Sequence, residues 1–480
     1  MLDYLPHITV FALLDGVIML VVLPWVVMTK KDTTAAVAWC LVVILMPLFG
    51  TLLFWVFGYN HVYRPLARKA RHRSAFRESH PPQTHEAARG EEEPAGDDTW
   101  NHLGSLALKV KAFPISRGNR VTLFDETPQA YQAVMAAIQG SRSHIHLEYF
   151  IFRPDETGRQ MIETLSEKAK EGVEVRLLYD SVGGWNVRRA FLQPLVDRGG
   201  KVTSYLSINP LRSRLQVNMR NHRKIVVVDG RLGFIGGMNI GDEYLGKSVR
   251  FGYWRDEVVA IEGPAVAGLQ RVFHEDWDFA YGETLNGEKY FPKLDDSGES
   301  VVQVIESGPD QEVNSIREIY LAAISSARER LWIASPYFVP DAGLLDSLRL
   351  ARYRGVDVRL LTLLRPDHFF SFYAGRYYWS ELLGMDVKVY QYRRGMMHSK
   401  IILADGQWAI VGSANLDNRS LHLNFEAGCI IHTPALIESL EKRYLIDLEE
   451  STLLDARTFA QRGFGMRLLE NGCRLLSPVL

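Results

Sequence analysis

Two segments of this 480-residue chain carry the same reactive side chains at the same spacing. His222, Lys224, Asp229, Gly236 and Asn239 fit the pattern HxK(x4)D(x6)G(x2)N, and His398, Lys400, Asp405, Gly412 and Asn415 repeat it without a gap. An imidazole can attack or carry a proton near neutral pH, and an ammonium two residues away sets positive charge beside it. Side chains alternate along a strand, so each histidine shares a face with its lysine. Asp229-Gly230 and Asp405-Gly406 are tight-hairpin signals between apolar runs. The two aspartates complete the motif, but at about 3.3 Å per residue they lie roughly 16 Å along the strand from the lysines, where they are expected to brace the hairpin.

A carboxylate accompanies each motif. Asp256-Glu-Val-Val-Ala-Ile-Glu-Gly-Pro264 aligns without gaps to Glu426-Ala-Gly-Cys-Ile-Ile-His-Thr-Pro434. Each half therefore supplies an acid, Asp256 or Glu426, that could orient its own histidine, fix the tautomer and stabilise an imidazolium.

The elements that position these groups are repeated too. His144-Ile-His-Leu-Glu-Tyr-Phe-Ile-Phe-Arg-Pro-Asp155 resembles Leu331-Trp-Ile-Ala-Ser-Pro-Tyr-Phe-Val-Pro-Asp341, and Glu171–Arg176 resembles Arg354–Arg359 after a helical stretch in each copy. Strand, helix, strand is βαβ wiring, which predicts mixed sheets with parallel pairs. The fold class is thus α/β, with two halves, 105–290 and 291–480, packed face to face about a pseudo-twofold axis and the chemistry at their junction.

Ahead of these halves, residues 5–28 and 34–57 are apolar enough to predict a two-helix transmembrane hairpin within 1–60. Residues 61–104 read as a basic and then acidic linker, starting with Arg64, Arg68, Lys69, Arg71, Arg73 and Arg77. That positive charge predicts a multi-pass protein whose catalytic region faces the cytoplasm, and it could also hold anionic headgroups. Composition agrees: 55 basic and 56 acidic residues give a formal charge of -1, which disfavours a general nucleic-acid coat. The three cysteines show neither CxxC pairing nor zinc spacing.

The two motifs resemble the paired HKD motifs of the phospholipase D superfamily. With the N-terminal apolar segments and the two Phe/Tyr-rich strand ends, the chain is similar to the bacterial cardiolipin synthases within it. The resemblance implies two phospholipase D-like halves, no metal and no cofactor, and phosphatidylglycerol and anionic membrane lipids as partners. It further implies that His222 attacks phosphorus to form a phosphohistidine and His398 acts as general acid and base, although the near symmetry leaves that order reversible. Lys224, Lys400, Asn239 and Asn415 would hold the phosphate oxygens. The implied reaction passes the phosphatidyl group of one phosphatidylglycerol to another and releases glycerol, at the cytoplasmic membrane. A lipid hydrolase, a nuclease of the same superfamily and a non-catalytic membrane scaffold are the alternatives.

Two features stay open at this level. Phe369, Phe370, Phe372, Tyr373, Tyr377, Tyr378 and Trp379 read either as an interfacial lid or groove or as a buried helix. Arg212, Arg214, Arg220, Arg393 and Arg394 read either as headgroup attractors or as ordinary exposed arginines.

Overall fold

The computed structural model describes residues 5–30, 33–55, 63–79, 99–206 and 219–480. The acidic stretch 80–98, Lys31 and Asp32 of the expected turn, and Arg212 and Arg214 lie outside the described residues. The chain divides into an N-terminal unit reaching Arg68 and a larger unit from Lys69 onward.

In the N-terminal unit the described residues form α1 (Leu5–Thr29), α2 (Thr33–Leu45) and α3 (Pro47–Leu53). Val26, Val43 and Phe54 are buried together, and Trp25 and Trp39 meet Phe54 at ring-centroid distances of 5.4 and 5.5 Å. The second apolar stretch is not one helix. Met46 turns out of the helical region at φ -142° and ψ 71° because Pro47 follows it, with a ring that crowds the preceding residue. Among the described residues, no helix is long and apolar enough to cross a membrane. The expected hairpin of two spanning helices is therefore not shown by the described residues, and its second stretch is interrupted at Pro47.

The larger unit is built on strands. The first half contributes β1 (Ser116–Phe124), β2 (His144–Tyr149), β3 (Glu174–Asp180), β4 (Lys201–Tyr205), β5 (Arg220–Asn221), β6 (Ile225–Val228), β7 (Leu232–Gly236), β8 (Tyr253–Arg255) and β9 (Val258–Glu262). The second contributes β10 (Ser300–Ser307), β11 (Arg330–Ala334), β12 (Phe338–Val339), β13 (Asp357–Leu363), β14 (Lys388–Tyr392), β15 (Gly395–Met397), β16 (Ile401–Ala404), β17 (Trp408–Gly412), β18 (Leu416–Asp417), β19 (Asn424–His432) and β20 (Ser451–Leu453).

The repeat is visible in the strand order. From its inner strand outward the first half runs β1-β9-β7-β6-β2-β3-β4, and the second runs β10-β19-β17-β16-β11-β13-β14-β20. In both, the outer βαβ strands are parallel and the motif-bearing hairpin, β6–β7 or β16–β17, is antiparallel. The crossover helices Glu156–Lys170 and Ala342–Tyr353 start at the repeated aspartates. Asp155 accepts from Gly158 N and Asp341 from Leu344 N, each at 3.0 Å. The halves are joined at one edge, where β1 and β10 pair antiparallel and satisfy each other's backbone groups, and β7 and β9 of the first half also approach β17 and β19 of the second.

The stretch 61–104 also differs from the expected linker. It contains α4 (Tyr63–Ser79) and a helix, Thr99–Lys109, whose Leu103 and Ala107 are buried. Lys69 and Arg73 of α4 are buried as well, for a reason that the active site makes clear.

Candidate active site

Each motif histidine stands just past a short strand that pairs with the other half. β5 runs parallel to β19, so that His222 N donates to Phe425 O at 2.9 Å, next to Glu426. β8 runs parallel to β15, so that His398 N donates to Arg255 O at 2.7 Å, next to Asp256. The orienting acids are therefore exchanged. His222 Nδ1 lies 3.0 Å from Glu426 Oε2, and His398 Nδ1 lies 2.6 Å from Asp256 Oδ2. The expectation that each half would serve its own histidine is corrected by these two strand pairings: each carboxylate contacts the opposite half's ring.

Because both Nδ1 atoms face a carboxylate, Nε2 of each ring is left for a reacting atom. His222 and His398 are only 8% and 7% exposed. Phe150 packs edge-on to His222 at 4.8 Å between centroids, and Trp254 lies 5.1 Å from His398. The lysines share the histidines' faces as alternation predicts. Lys224 Nζ donates to His222 O, and Lys400 Nζ donates to His398 O while lying 3.0 Å from His398 Nδ1. The charges of Lys224 and His222 both act on His398, and that of Lys400 acts on His222 and Lys224, so the two half-sites form one electrostatic centre.

Burial in that centre sets the protonation pattern. It lowers His222 to about 4, against the pull of Glu426, and lowers His398 well below its ordinary value. Burial also lowers Lys224 to about 7 and takes Lys400 down, opposed by Asp256 and Glu426. The carboxylates separate. Burial lifts Asp256 to about 6 against the charge of Lys400. For Glu426 burial works upward, but His222, Lys224 and the Ser413 hydroxyl together hold it below the usual range. Ser413 Oγ donates to Glu426 Oε2 at 2.5 Å and Asn424 Nδ2 to Oε1 at 3.1 Å, so this carboxylate is satisfied as an anion.

The remaining motif residues have distinct places. Asp229 accepts from the backbone N–H groups of Arg142, Ser143 and His144, and Asp405 from those of Arg328, Glu329 and Arg330, all at 2.7–2.9 Å. Both adopt positive φ, 53° and 55°, at the hairpin turns and pin the starts of β2 and β11. They stand at the far ends of β6 and β16 from the imidazoles. Asn239 and Asn415 are buried; Asn239 Oδ1 accepts from Ile151 N at 3.1 Å, and Asn415 Oδ1 has no hydrogen-bond partner among the described residues. Among the described residues no group of His, Cys, Asp and Glu is arranged to hold a metal ion.

A buried charge network behind His222 was not read from the sequence. Arg223, inside the first motif, is 1% exposed; it is paired with Asp276, reaches Glu306 Oε2 at 2.7 Å and donates from Nε to Glu426 O at 3.2 Å. Helix α4 supplies the cations that balance these acids. Lys69 Nζ lies 2.8 Å from Asp276 and 3.3 Å from Glu275, while Arg73 and Arg77 both pair with Glu306. Lys69, Arg73 and Arg77 recur every four residues, which places them on one helical face and is the signal that could have found them. Of the loose arginines, Arg220 is half-buried beside Asp180, Arg394 stacks on Tyr253 at 4.0 Å, and Arg393 is exposed.

The comparisons agree with this architecture. Residues 134–277 and 320–446 match the family model "Cardiolipin synthase, PLD-like domain", and residues 17–58 match "Phospholipase D-nuclease N-terminal". The chain is 39% identical over 459 residues to a cardiolipin synthase of Geobacillus kaustophilus and 40% identical over 458 residues to one of Alkalihalophilus pseudofirmus; each match covers 94% of this chain and 90% of the relative. The crystal structure of phosphatidylserine synthase from Haemophilus influenzae superposes with a TM-score of 0.63 at 15% identity, covering 79% of this chain and all of that one, a likeness of fold. Two buried, cross-oriented histidines on twin α/β halves, with relatives similar along nearly the whole length, place the chain in the cardiolipin synthase family of phospholipase D-like proteins.

Proposed function

We propose that the chain joins two phosphatidylglycerol molecules into cardiolipin and releases glycerol. His222 Nε2 attacks phosphorus, the P–O bond to the glycerol headgroup breaks, and His398 delivers a proton to the departing alkoxide. His398 then takes the proton from the hydroxyl of a second phosphatidylglycerol, whose oxygen displaces His222 from phosphorus. One phosphodiester replaces another, so the exchange needs no nucleotide. Lys224, Lys400, Asn239 and Asn415 hold the non-bridging oxygens, and each such donor contributes about 2.7 to 4 kcal/mol in comparable sites.

The observation that carries this reading is the exchanged pairing, His222 with Glu426 and His398 with Asp256, which sets two Nε2 atoms in one centre. The neutral state that burial imposes on His222 suits attack. His398 must be protonated to act as an acid, and the negative charge of an arriving phosphodiester raises its proton affinity. The N-terminal unit supports work at a bilayer: α1–α3 leave Leu20, Met28 and Leu45 more than three-quarters exposed. We place these helices in the cytoplasmic membrane and the catalytic unit, 105–290 with 291–480, on the cytoplasmic side, the side that the excess of arginines after residue 60 favours.

A hydrolase would use water in the second step. Phosphatidylglycerol in vesicles decides between them: cardiolipin and glycerol in equal amounts are expected, and phosphatidic acid as the main product would replace this reading with the hydrolytic one.

A further inference from the structure

The helices Phe369–Gly384 and Phe464–Arg474 pack on each other, with Arg376 Nε 2.7 Å from Glu470 Oε1. The second of them is inside out. Its Glu470 is 1% exposed, held by Arg376 and Arg462, while Phe464, Leu468 and Leu475 are 74%, 61% and 75% exposed. Spacings of four and seven residues put these three side chains on one face. A helix that spends an ion pair on burying its glutamate and turns its largest apolar groups to water is poorly explained by packing within the chain.

The partner helix continues the surface. Phe372 and Trp379 are buried in the core, whereas Phe369 and Phe370, at its start, are half exposed. The aromatic segment is therefore buried at Phe372 and Trp379, as the buried-helix reading has it, and open at Phe369 and Phe370. A shallow groove between the helices is lined by Phe369, Phe370, Leu468, Gly472, Cys473 and Leu476. Arg365, Arg457 and Arg467, all exposed, belong to the same helices or the segments that adjoin them. Asp367, two residues before Phe369, accepts from Tyr337 Oη, and its charge acts on His398.

Resting on the proposed reaction for the identity of its lipid, we infer that this face docks on an anionic phospholipid bilayer, with Phe369, Phe370, Phe464, Leu468 and Leu475 among the acyl chains and the arginines at the phosphates. Apolar residues on one side with flanking arginines are the chemistry of an interfacial helix. The aromatic helix starts two residues after Asp367, whose charge acts on His398, so the face lies on the half that carries that ring.

The test uses the full chain reconstituted in vesicles of phosphatidylcholine and phosphatidylglycerol. A nitrobenzoxadiazole label at Leu468→Cys should shift to the blue and be quenched by spin labels in the acyl region, but not by aqueous iodide. The same label at Glu438→Cys, an exposed site on the helix Pro434–Glu449, should behave oppositely. Wild-type protein carried through the same labelling corrects for the native Cys40, Cys429 and Cys473. In the Phe464→Asp, Leu468→Asp double variant, the ratio of turnover on vesicles to turnover on a water-soluble short-chain phosphatidylglycerol should fall at least about tenfold. A label at 468 that iodide still reaches, one shielded before any vesicle is added through self-association, or an equal loss on both substrates would each overturn the inference. If the wild type makes no cardiolipin from either substrate, the proposed reaction fails while the quenching result still decides the surface.

Discussion

The two half-sites share a motif and differ in what stands behind it. At His222 the intervening motif residue is Arg223, which binds into the buried acids Asp276 and Glu306, and Glu426 receives Ser413 and Asn424 as well as the imidazole. At His398 the intervening residue is Ser399, and Asp256 Oδ1 accepts from Glu257 N at 3.0 Å against Gly237. Burial lifts Asp256 to about 6, whereas Glu426 is held as an anion. A carboxylate fixed in its charged form makes the ring it touches a better nucleophile. One near neutrality can follow a proton back and forth. Twin motifs can thus be given unlike tasks by the groups one layer further out.

Replacing the acids should expose that asymmetry most strongly. Glu426→Gln should lower the rate of phosphohistidine formation by about a hundredfold or more in rapid-quench measurements. Asp256→Asn should slow mainly the transfer to the acceptor, by about tenfold to a hundredfold. Equal effects on the same step would abolish the distinction. Next comes the charge network. Lys69→Ala with Arg73→Ala leaves Glu275, Asp276, Glu306 and Asp310 balanced by fewer cations, a loss of about 3 to 5 kcal/mol for each broken buried pair before relaxation. Urea unfolding should show the loss, and the chain that survives should bind phosphodiesters but form the adduct slowly, since the damage lies behind His222.

The smallest effect is on pH. In the free enzyme Lys224 is lowered to about 7, so kcat/KM should fall as pH rises through that region and the ammonium is lost. A bound phosphodiester anion favours the charged lysine, so the corresponding fall in kcat should come at higher pH. Lys224→Arg, which stays protonated, should remove the fall in kcat/KM near neutrality; its persistence would assign the titration to another group.

How much of this could be read in advance divides along physical lines. The histidine and lysine pairs, the hairpins and the βαβ repeat were legible because strand alternation and turn chemistry are local. The acids Asp256 and Glu426 were found by aligning the halves, yet their exchange between rings was not, since it depends on β5 pairing with β19 and β8 with β15 across more than a hundred residues. Charge alone made α4 look like a solvated linker. Its cations are buried because Glu275, Asp276, Glu306 and Asp310 gather opposite them, a juxtaposition that arises only in the fold. The break at Met46–Pro47 was present in the sequence and outweighed by the apolar run around it.

The most direct test of unlike twin histidines is to trap the intermediate. Full-length His222→Ala and His398→Ala are mixed with a phosphodiester lipid that carries radiolabelled phosphorus and a good leaving group, quenched within one turnover, and mapped by alkaline-stable phosphopeptide analysis. The expected result is label on His222 in the His398→Ala chain and none in the His222→Ala chain. Label on His398 in the His222→Ala chain, or none in either, would contradict the assignment.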